Sequence, residues 1–331
     1  VRSGAALGLG AGAEPGDDAV IDLLIQRSRQ ERQSPLRHRA ILALGELGRR
    51  DRGRPETAAA HGRLVGALTR SLRRGARNGN RAWAGLAAAL AAGHRPGVRT
   101  LVRERLMEAY EDEGDPGTRA ALGLAFGLLG ADEAANPLLT AFQFAQDDGE
   151  RGYAAVALGL LQHTAAAGWL GQLLAHPDAR GLVRLRCATG LALMADRTAV
   201  PKLLAMLESA VPGAPESAAS ALGLLGDGAA VAKLMAIIGH PLPGDDDSTG
   251  TGLPLTGPTA IGLSAPGDAT PEVAAERDPD AVRRRAFAVV ALGLLGERGL
   301  HPGEPTVLAR LRAHVDPRAQ VPALLAAWSV L

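Results

Sequence analysis

The sequence predicts an all-α fold in which one helical unit recurs along the chain. Three observations support this: a short phrase rich in Ala, Leu and Gly keeps returning, residues that favour strands are scarce, and apolar positions follow helical spacing. The clearest copies of the phrase lie at 43–48, 126–130, 157–161, 221–226 and 291–296. Such units bury their apolar faces against one another, so we expect one elongated array across residues 1–331.

Composition agrees with thin helices that pack closely. The chain is 47% hydrophobic but only 3% aromatic, and it contains 42 Gly. The longest apolar runs, such as residues 120–131, are much shorter than the roughly 20 residues that cross a bilayer. We therefore expect no membrane span. The single Cys187 excludes an intrachain disulfide framework.

The first Gly of the phrase sets an alignment of eight units. The aligned residues are Gly8, Gly45, Leu90, Gly127, Gly159, Ala192, Gly223 and Gly293. The last interval is about twice the others, so it predicts an insertion, and residues 241–277 have the Gly, Pro, Asp and Thr content of a long loop. The chain starts without Met and inside a unit, so we expect it to be part of a longer protein.

Each unit is predicted to contain two helices. The phrase ends the first helix, because its second Gly suits a left-handed C-terminal cap. A second helix then begins after a capping residue such as Asp196 or Asp227. The first Gly lies inside a helix, where it costs about 1 kcal/mol relative to Ala. Its recurrence predicts a close approach by the neighbouring helix.

Residues 278–296, with Arg283–Arg285 leading into the phrase, resemble a HEAT repeat, and in particular the short HEAT-like repeats of phycobilisome lyase subunits. The resemblance covers most of the chain outside the insertion. It implies a right-handed α-solenoid of about eight two-helix repeats, with the second helices on the concave surface. This motif is specific for fold and nearly silent about function. The Trp-containing signature of tetratricopeptide repeats is absent.

An arginine precedes the aligned position by eight residues in most units. Stacking would bring these side chains into a row, which could bind phosphate or acidic peptide. The alternative that we favour is structural, with each arginine paired to a carboxylate after a first helix, such as Asp132, Asp196, Asp227 or Glu297. The row contains Arg37, Arg119, Arg151, Arg184 and Arg285.

Charge is distributed unevenly although the formal net charge is only +1. Residues 1–110 contain 20 Arg, no Lys and 10 acidic residues, and the remainder is acidic. A basic surface could follow a nucleic-acid backbone through counterion release. Aromatic platforms for bases are nearly missing there, since Trp83 is the only aromatic residue before Tyr110. A solvated basic face is the simpler interpretation.

Other chemistry is poorly supported. A glycosylase-type cradle would need paired aromatic residues, whereas Trp83 and Trp169 lie in different units and are predicted to pack in the core. The eight histidines lack metal-ligand spacing, and the run Asp245-Asp246-Asp247 lacks the pattern of a calcium loop. No nucleophile, base and acid arrangement and no phosphate-cradling loop is evident. We therefore expect no enzyme activity, no metal and no cofactor.

The function predicted from sequence is a non-catalytic scaffold that binds a protein partner on the concave face, with a cytoplasmic location favoured. Two alternatives stay open: polyanion or nucleic-acid binding by the basic third, and a bilin-lyase-like subunit. The apolar run 322–331 is expected to be covered by a further repeat, domain or subunit. Candidate partner-binding residues, chosen by helix position and charge, are Arg63, Arg70, Arg73, Arg99, Arg103, Lys202 and Lys233.

Overall fold

A computed structural model describes residues 2–73, 79–93, 95–176, 179–209, 211, 213–238, 287–288 and 291. Within these ranges every regular element is helical, with fourteen α-helices, four short 3-10 helices and no strand. None of the helices in the described part of the chain combines the length and apolarity needed to span a bilayer. The insertion 241–277, Arg285, Glu297 and the run 322–331 lie outside the described residues.

The helices alternate between two sets, which we call A helices and B helices. The A helices are α1 (Arg2–Gly12), α3 (Ser34–Arg50), α5 (Asn80–Ala91), α7 (Pro116–Leu129), α9 (Asp148–Leu160), α11 (Gly181–Leu193) and α13 (Ala214–Leu225). The B helices are α2 (Asp18–Gln30), α4 (Ala58–Arg70), α6 (Pro96–Glu111), α8 (Ala135–Phe144), α10 (Ala167–Ala175), α12 (Val200–Met206) and α14 (Ala230–Ile238). Each A helix packs on the next A helix, and B helices pack against the A layer. Seven helix pairs are thus described.

Glycines of the phrase bring the A helices together. A Cβ on Gly45 would lie 2.7 Å from the Ala87 Cα, and one on Gly159 would lie 2.6 Å from the Gly190 carbonyl oxygen. These distances are shorter than real Cβ contacts, so a methyl group would force the helices apart. The prediction of a close approach at the phrase is confirmed.

The contacts also correct the alignment of two units. Gly10, rather than Gly8, meets Ala43, since a Cβ on Gly8 would meet nothing within 4 Å. Elsewhere the close glycine meets the residue two positions before the aligned one, as Ala157 precedes Gly159. The contact of Gly45 with Ala87 therefore assigns Ala89, not Leu90, as the aligned residue of the third unit.

The second Gly has the predicted role in some units and a different one in others. Gly130 and Gly226 end their helices with φ of 68° and 70°, as a left-handed cap requires. Gln162 and Ala195 follow their helices closely and adopt φ of 54° and 55° without being glycine. Gly48 is not a cap: α3 continues to Arg50, and a Cβ on Gly48 would lie 2.5 Å from the Ala91 Cβ.

The core follows the interface between the two layers. Cys187 of α11 lies within it with a fully buried thiol, and burial raises its pKa to about 12. Ala288 and Ala291 are also buried, and the Ala291 Cα lies 2.7 Å from the position of a Cβ on Gly223. Ala291 therefore meets α13 at Gly223 in the same way as Ala87 meets α3 at Gly45.

Candidate functional site

The arginine row caps the ends of the B helices. Arg151 Nε donates to the Phe142 carbonyl oxygen (3.2 Å), and Arg184 donates to the carbonyls of Leu174 (3.3 Å) and His176 (2.9 Å). These carbonyls belong to the last turns of α8 and α10 or to the residue after them, where helices leave acceptors unpaired. A cation there also offsets the negative end of the helix dipole.

Other members of the row reach the next unit as well. Arg37 Nε donates to Asn80 Oδ1 (2.7 Å), and both Arg119 Nε and Nη2 donate to the Glu150 carboxylate. Glu150 is buried, and its carboxylate raises the pKa of Arg119. The partners are thus backbone carbonyls and the following A helix, instead of the expected Asp132, Asp196 and Asp227. Of these, Asp196 and Asp227 cap backbone N–H groups.

Arg81 occupies the same place in the third unit. It lies eight residues before Ala89, and its Nε donates to the Leu72 carbonyl oxygen (2.8 Å) beyond α4. It also pairs with Glu113 (3.0 Å). The alignment on Leu90 was one residue too late and therefore missed Arg81. The contact of Gly45 with Ala87 moves the aligned residue to Ala89 and recovers this arginine.

Four of the seven candidate partner-binding residues are engaged within the array. Arg63 pairs with Asp18 (2.7 Å), and Arg103 pairs with Glu133 (2.6 Å). Arg99 donates to the Leu129 carbonyl oxygen at the end of α7. Lys233 pairs with Glu208 (2.6 Å). These contacts join neighbouring units, so a partner can bind the four side chains only by replacing the contacts that they already make.

Arg70, Arg73 and Lys202 have no carboxylate within ion-pair distance among the described residues. Arg70 belongs to a small cationic cluster: burial, with the charges of Arg29 and Arg73, lowers its pKa. Arg73 lines an open cleft of about 310 Å³ between α4 and α6. The other lining residues are Thr69, Leu72, Arg81, Arg105, Glu108, Ala109 and Asp112. Lys202 is exposed on α12, and its Nζ lies 3.6 Å from the position of a Cβ on Gly171.

The structure adds an aromatic cleft that the sequence analysis did not predict. It has a volume of about 410 Å³ and opens between the C-terminal ends of α8 and α10. Phe144 and Trp169 stand beside it with 70% and 51% of their surfaces exposed. It is lined by Phe142, Gln143, Phe144, Arg151, Trp169, Gln172, Leu173 and His176. We call this site the Phe144–Trp169 cleft.

The prediction that Trp169 packs in the core is wrong. The buried positions of this segment are Ala166, Leu170 and Leu174, which follow one another at four-residue spacing. Trp169 precedes that apolar stripe by one position, so it faces outward. This offset is visible in the sequence and could have identified the residue. Trp83, by contrast, is half-buried and stacks on His38 with ring centroids 5.3 Å apart.

A second polar cluster lies inside the N-terminal part of the array. The His61 Nδ1 lies 2.9 Å from Asp51 Oδ2, and Arg95 and Thr57 donate to the same carboxylate. Burial lowers the pKa of His61, and the nearby Arg95 adds to this effect, whereas Asp51 opposes it. Burial would raise the pKa of Asp51, but hydrogen bonds from Thr57 and Arg95 lower it overall. The cluster is closed to ligands, since His61 and Asp51 are 2% and 1% exposed.

Among the described residues, no three His, Cys, Asp or Glu side chains are grouped so as to hold a metal ion. The family model for HEAT repeats matches residues 167–246, which begin in α10 and include α11 to α14. This match supports a HEAT-like repeat and does not single out the phycobilisome-lyase type. No curated protein matches the chain.

A solved structure of human deoxyhypusine hydroxylase in complex with glycerol is similar in fold. Its sequence is 24% identical over 68% of this chain and 78% of that chain, with a TM-score of 0.32. The likeness carries no residue of a reaction onto this chain. The prediction that the chain is not an enzyme is not kept, because this similar structure is that of an enzyme.

Proposed function

We propose that this chain is a HEAT-like helical-repeat scaffold that binds a protein partner on the face formed by its B helices. The observation that carries the proposal is the exposure of Phe144 and Trp169 on two successive B helices. Large aromatic side chains lose much water-exposed area when a partner covers them, and they dominate the energetics of many interfaces.

The distribution of other exposed apolar side chains supports the same face. Leu23 of α2 and Leu101 of α6 are each 39% exposed, and both lie on B helices. Within the described A helices, the exposed large hydrophobic residue is Leu182, in the first turn of α11. Neighbouring apolar residues on one face indicate an interaction surface more strongly than isolated ones do.

Site-specific photocrosslinking in the full chain tests this proposal. A photoreactive residue at Gln172, on the B face, should form an adduct with a defined partner protein, and the same residue at Leu182 should not. The adduct should be lost when Trp169 is changed to Ala. Equal adducts from both positions, or an adduct that ignores W169A, would count against binding on this face.

Polyanion binding is a second candidate, and the cluster of Arg29, Arg70 and Arg73 favours it. None of the three has a carboxylate within ion-pair distance in the described residues, whereas Arg63 and Arg103 nearby are paired. Like charges grouped in this way attract an anionic ligand and lose that attraction in salt.

Binding of a fluorescent single-stranded oligonucleotide at increasing salt concentrations tests the second candidate. The triple change of Arg29, Arg70 and Arg73 to Ala should reduce affinity at least tenfold and flatten the salt dependence. R103A is the matched control, because it removes one charge that is already paired. If R103A has the same effect as the triple variant, the cluster is not the site.

A further inference from the structure

We propose that the Phe144–Trp169 cleft binds a short extended peptide of the partner, with an apolar side chain between the two rings and carboxylates beside it. This inference rests on the proposed function, because it names what the B face would recognise. It follows from the size of the cleft, from its hydrogen-bonding groups and from its charge.

The size of the cleft favours a few residues over a folded element. Its volume of about 410 Å³ lies near the lower end of the range for small-ligand sites, about 300–1,000 Å³. An α-helix with its side chains is about 10–12 Å across, so a helix would rest on the cleft without entering it. A single large side chain and the adjoining main chain can enter.

The hydrogen-bonding groups favour an extended main chain. Gln143 lies next to Phe144, and Gln172 lies one helical turn after Trp169; both line the cleft. Neither amide has a side-chain hydrogen bond to another residue in the described ranges. An amide side chain offers both a donor and an acceptor. An extended peptide needs partners for its N–H and C=O groups, whereas a helix satisfies its own.

Charge favours an acidic segment. The lining contains Arg151 and His176 and no carboxylate. Arg151 donates its Nε–H to the Phe142 carbonyl oxygen, and its positive charge offsets the negative end of α8. Lys202 adds an exposed cation on the other side of α10, next to Gly171. Carboxylates beside the apolar anchor therefore meet the cation Arg151 and no like charge in the lining.

Fluorescence anisotropy with three sets of labelled ten-residue peptides tests the proposal on the full chain. Every peptide has a central Leu, Phe, Trp or Pro. The flanking residues are Asp and Glu in the acidic set, Lys and Arg in the basic set, and Ser and Gly in the uncharged set. We expect the acidic set to bind at least tenfold more tightly than the basic set. F144A and W169A should each weaken binding at least tenfold, and methylation of the central peptide nitrogens should weaken it as well.

L101A is the matched control, because it removes an exposed apolar side chain from another B helix and should leave peptide affinity unchanged. Circular dichroism confirms that each variant keeps its helices. Equal binding of acidic and basic sets, unchanged binding by W169A, or no binding of the acidic set below 1 mM would overturn the inference. A Gln172 crosslink that needs Trp169, combined with no peptide binding, would reject the extended peptide while leaving the scaffold proposal intact.

Discussion

The A helices meet their neighbours through close backbone contacts at glycine and alanine and through partly buried pairs such as Arg119 with Glu150, whereas ion pairs between exposed side chains link successive units in the B layer. In the A layer the spacing is set at glycines such as Gly45 and Gly159, where an added methyl group would have no room. In the B layer the links are pairs such as Arg63 with Asp18, and Arg103 with Glu133 of the 3-10 turn before α8, in which each side chain is 39–65% exposed.

The difference separates what holds the array together from what it presents. A backbone contact tolerates no added atom, so the A layer constrains its sequence strongly. Exposed pairs contribute about 0–1 kcal/mol each, so B-helix surfaces can change at little cost in stability. The exposed Phe144 and Trp169 lie on this more changeable layer, where we propose that a partner binds.

Breaking one ion pair in each layer should give the largest contrast. R119M leaves the buried Glu150 carboxylate without its partner, and we expect a loss of about 3 kcal/mol, the low end for buried pairs, because Arg119 is itself one-third exposed. R103M removes an exposed pair in the B layer and should cost about 0–1 kcal/mol. Urea denaturation followed by circular dichroism measures both. Equal losses would contradict the distinction between the layers.

Adding a methyl group in each layer should give the next largest effect. G159A places a Cβ 2.6 Å from the Gly190 carbonyl oxygen and should cost about 1–3 kcal/mol through overpacking. G168A in α10 meets nothing within 4 Å and should stabilise the chain by up to about 1 kcal/mol through helix propensity. Thermal unfolding compares the two variants. A stabilised G159A would show that the A layer has room to spare.

Acid should weaken the N-terminal part of the array. Because the pKa of His61 is lowered in the fold, the folded state favours its neutral form, and this contribution is present above the unfolded pKa of about 6.5. It is lost as the pH falls below that value, and the contribution of Asp51, whose pKa is also lowered, is lost only below about 4. Denaturation at pH 7 and pH 5, followed by circular dichroism, should show the decrease, and H61Q should reduce it. A decrease unchanged in H61Q would assign it to other groups.

Replacing a strained cap should give the smallest effect. Gln162 and Ala195 hold a left-handed conformation that costs a residue with a Cβ about 1–2 kcal/mol. A195G should therefore stabilise the chain by up to about 1 kcal/mol, after the greater unfolded-state entropy of Gly is deducted. A165G, inside the 3-10 helix Thr164–Ala166, provides the opposite case and should destabilise. If both variants destabilise, the cap carries no strain.

The sequence predicted the helices and their packing better than the site. The recurring phrase specifies a helix, its close contact and often its cap. These features can be predicted because the glycine that a close contact or a cap requires is visible in the sequence. The arginine row was also visible, but its partners were not, because backbone carbonyls at a helix end carry no sequence signal. Exposure of Trp169 depended on a one-residue offset from the stripe through Leu170 and Leu174, which composition does not reveal.

Chemical modification of Cys187 can report local opening of the array. Its thiol is fully buried between A helices, and a pKa of about 12 leaves almost no thiolate at neutral pH. A thiol reagent can therefore modify it only during the moments when α11 separates from its neighbours. The modification rate reports the population of the open state, or the opening rate itself when the reagent reacts faster than the helix closes. Since Cys187 is the single cysteine, the signal comes from one position. A partner that binds the nearby B helices should lower the modification rate of Cys187 without contacting its sulfur.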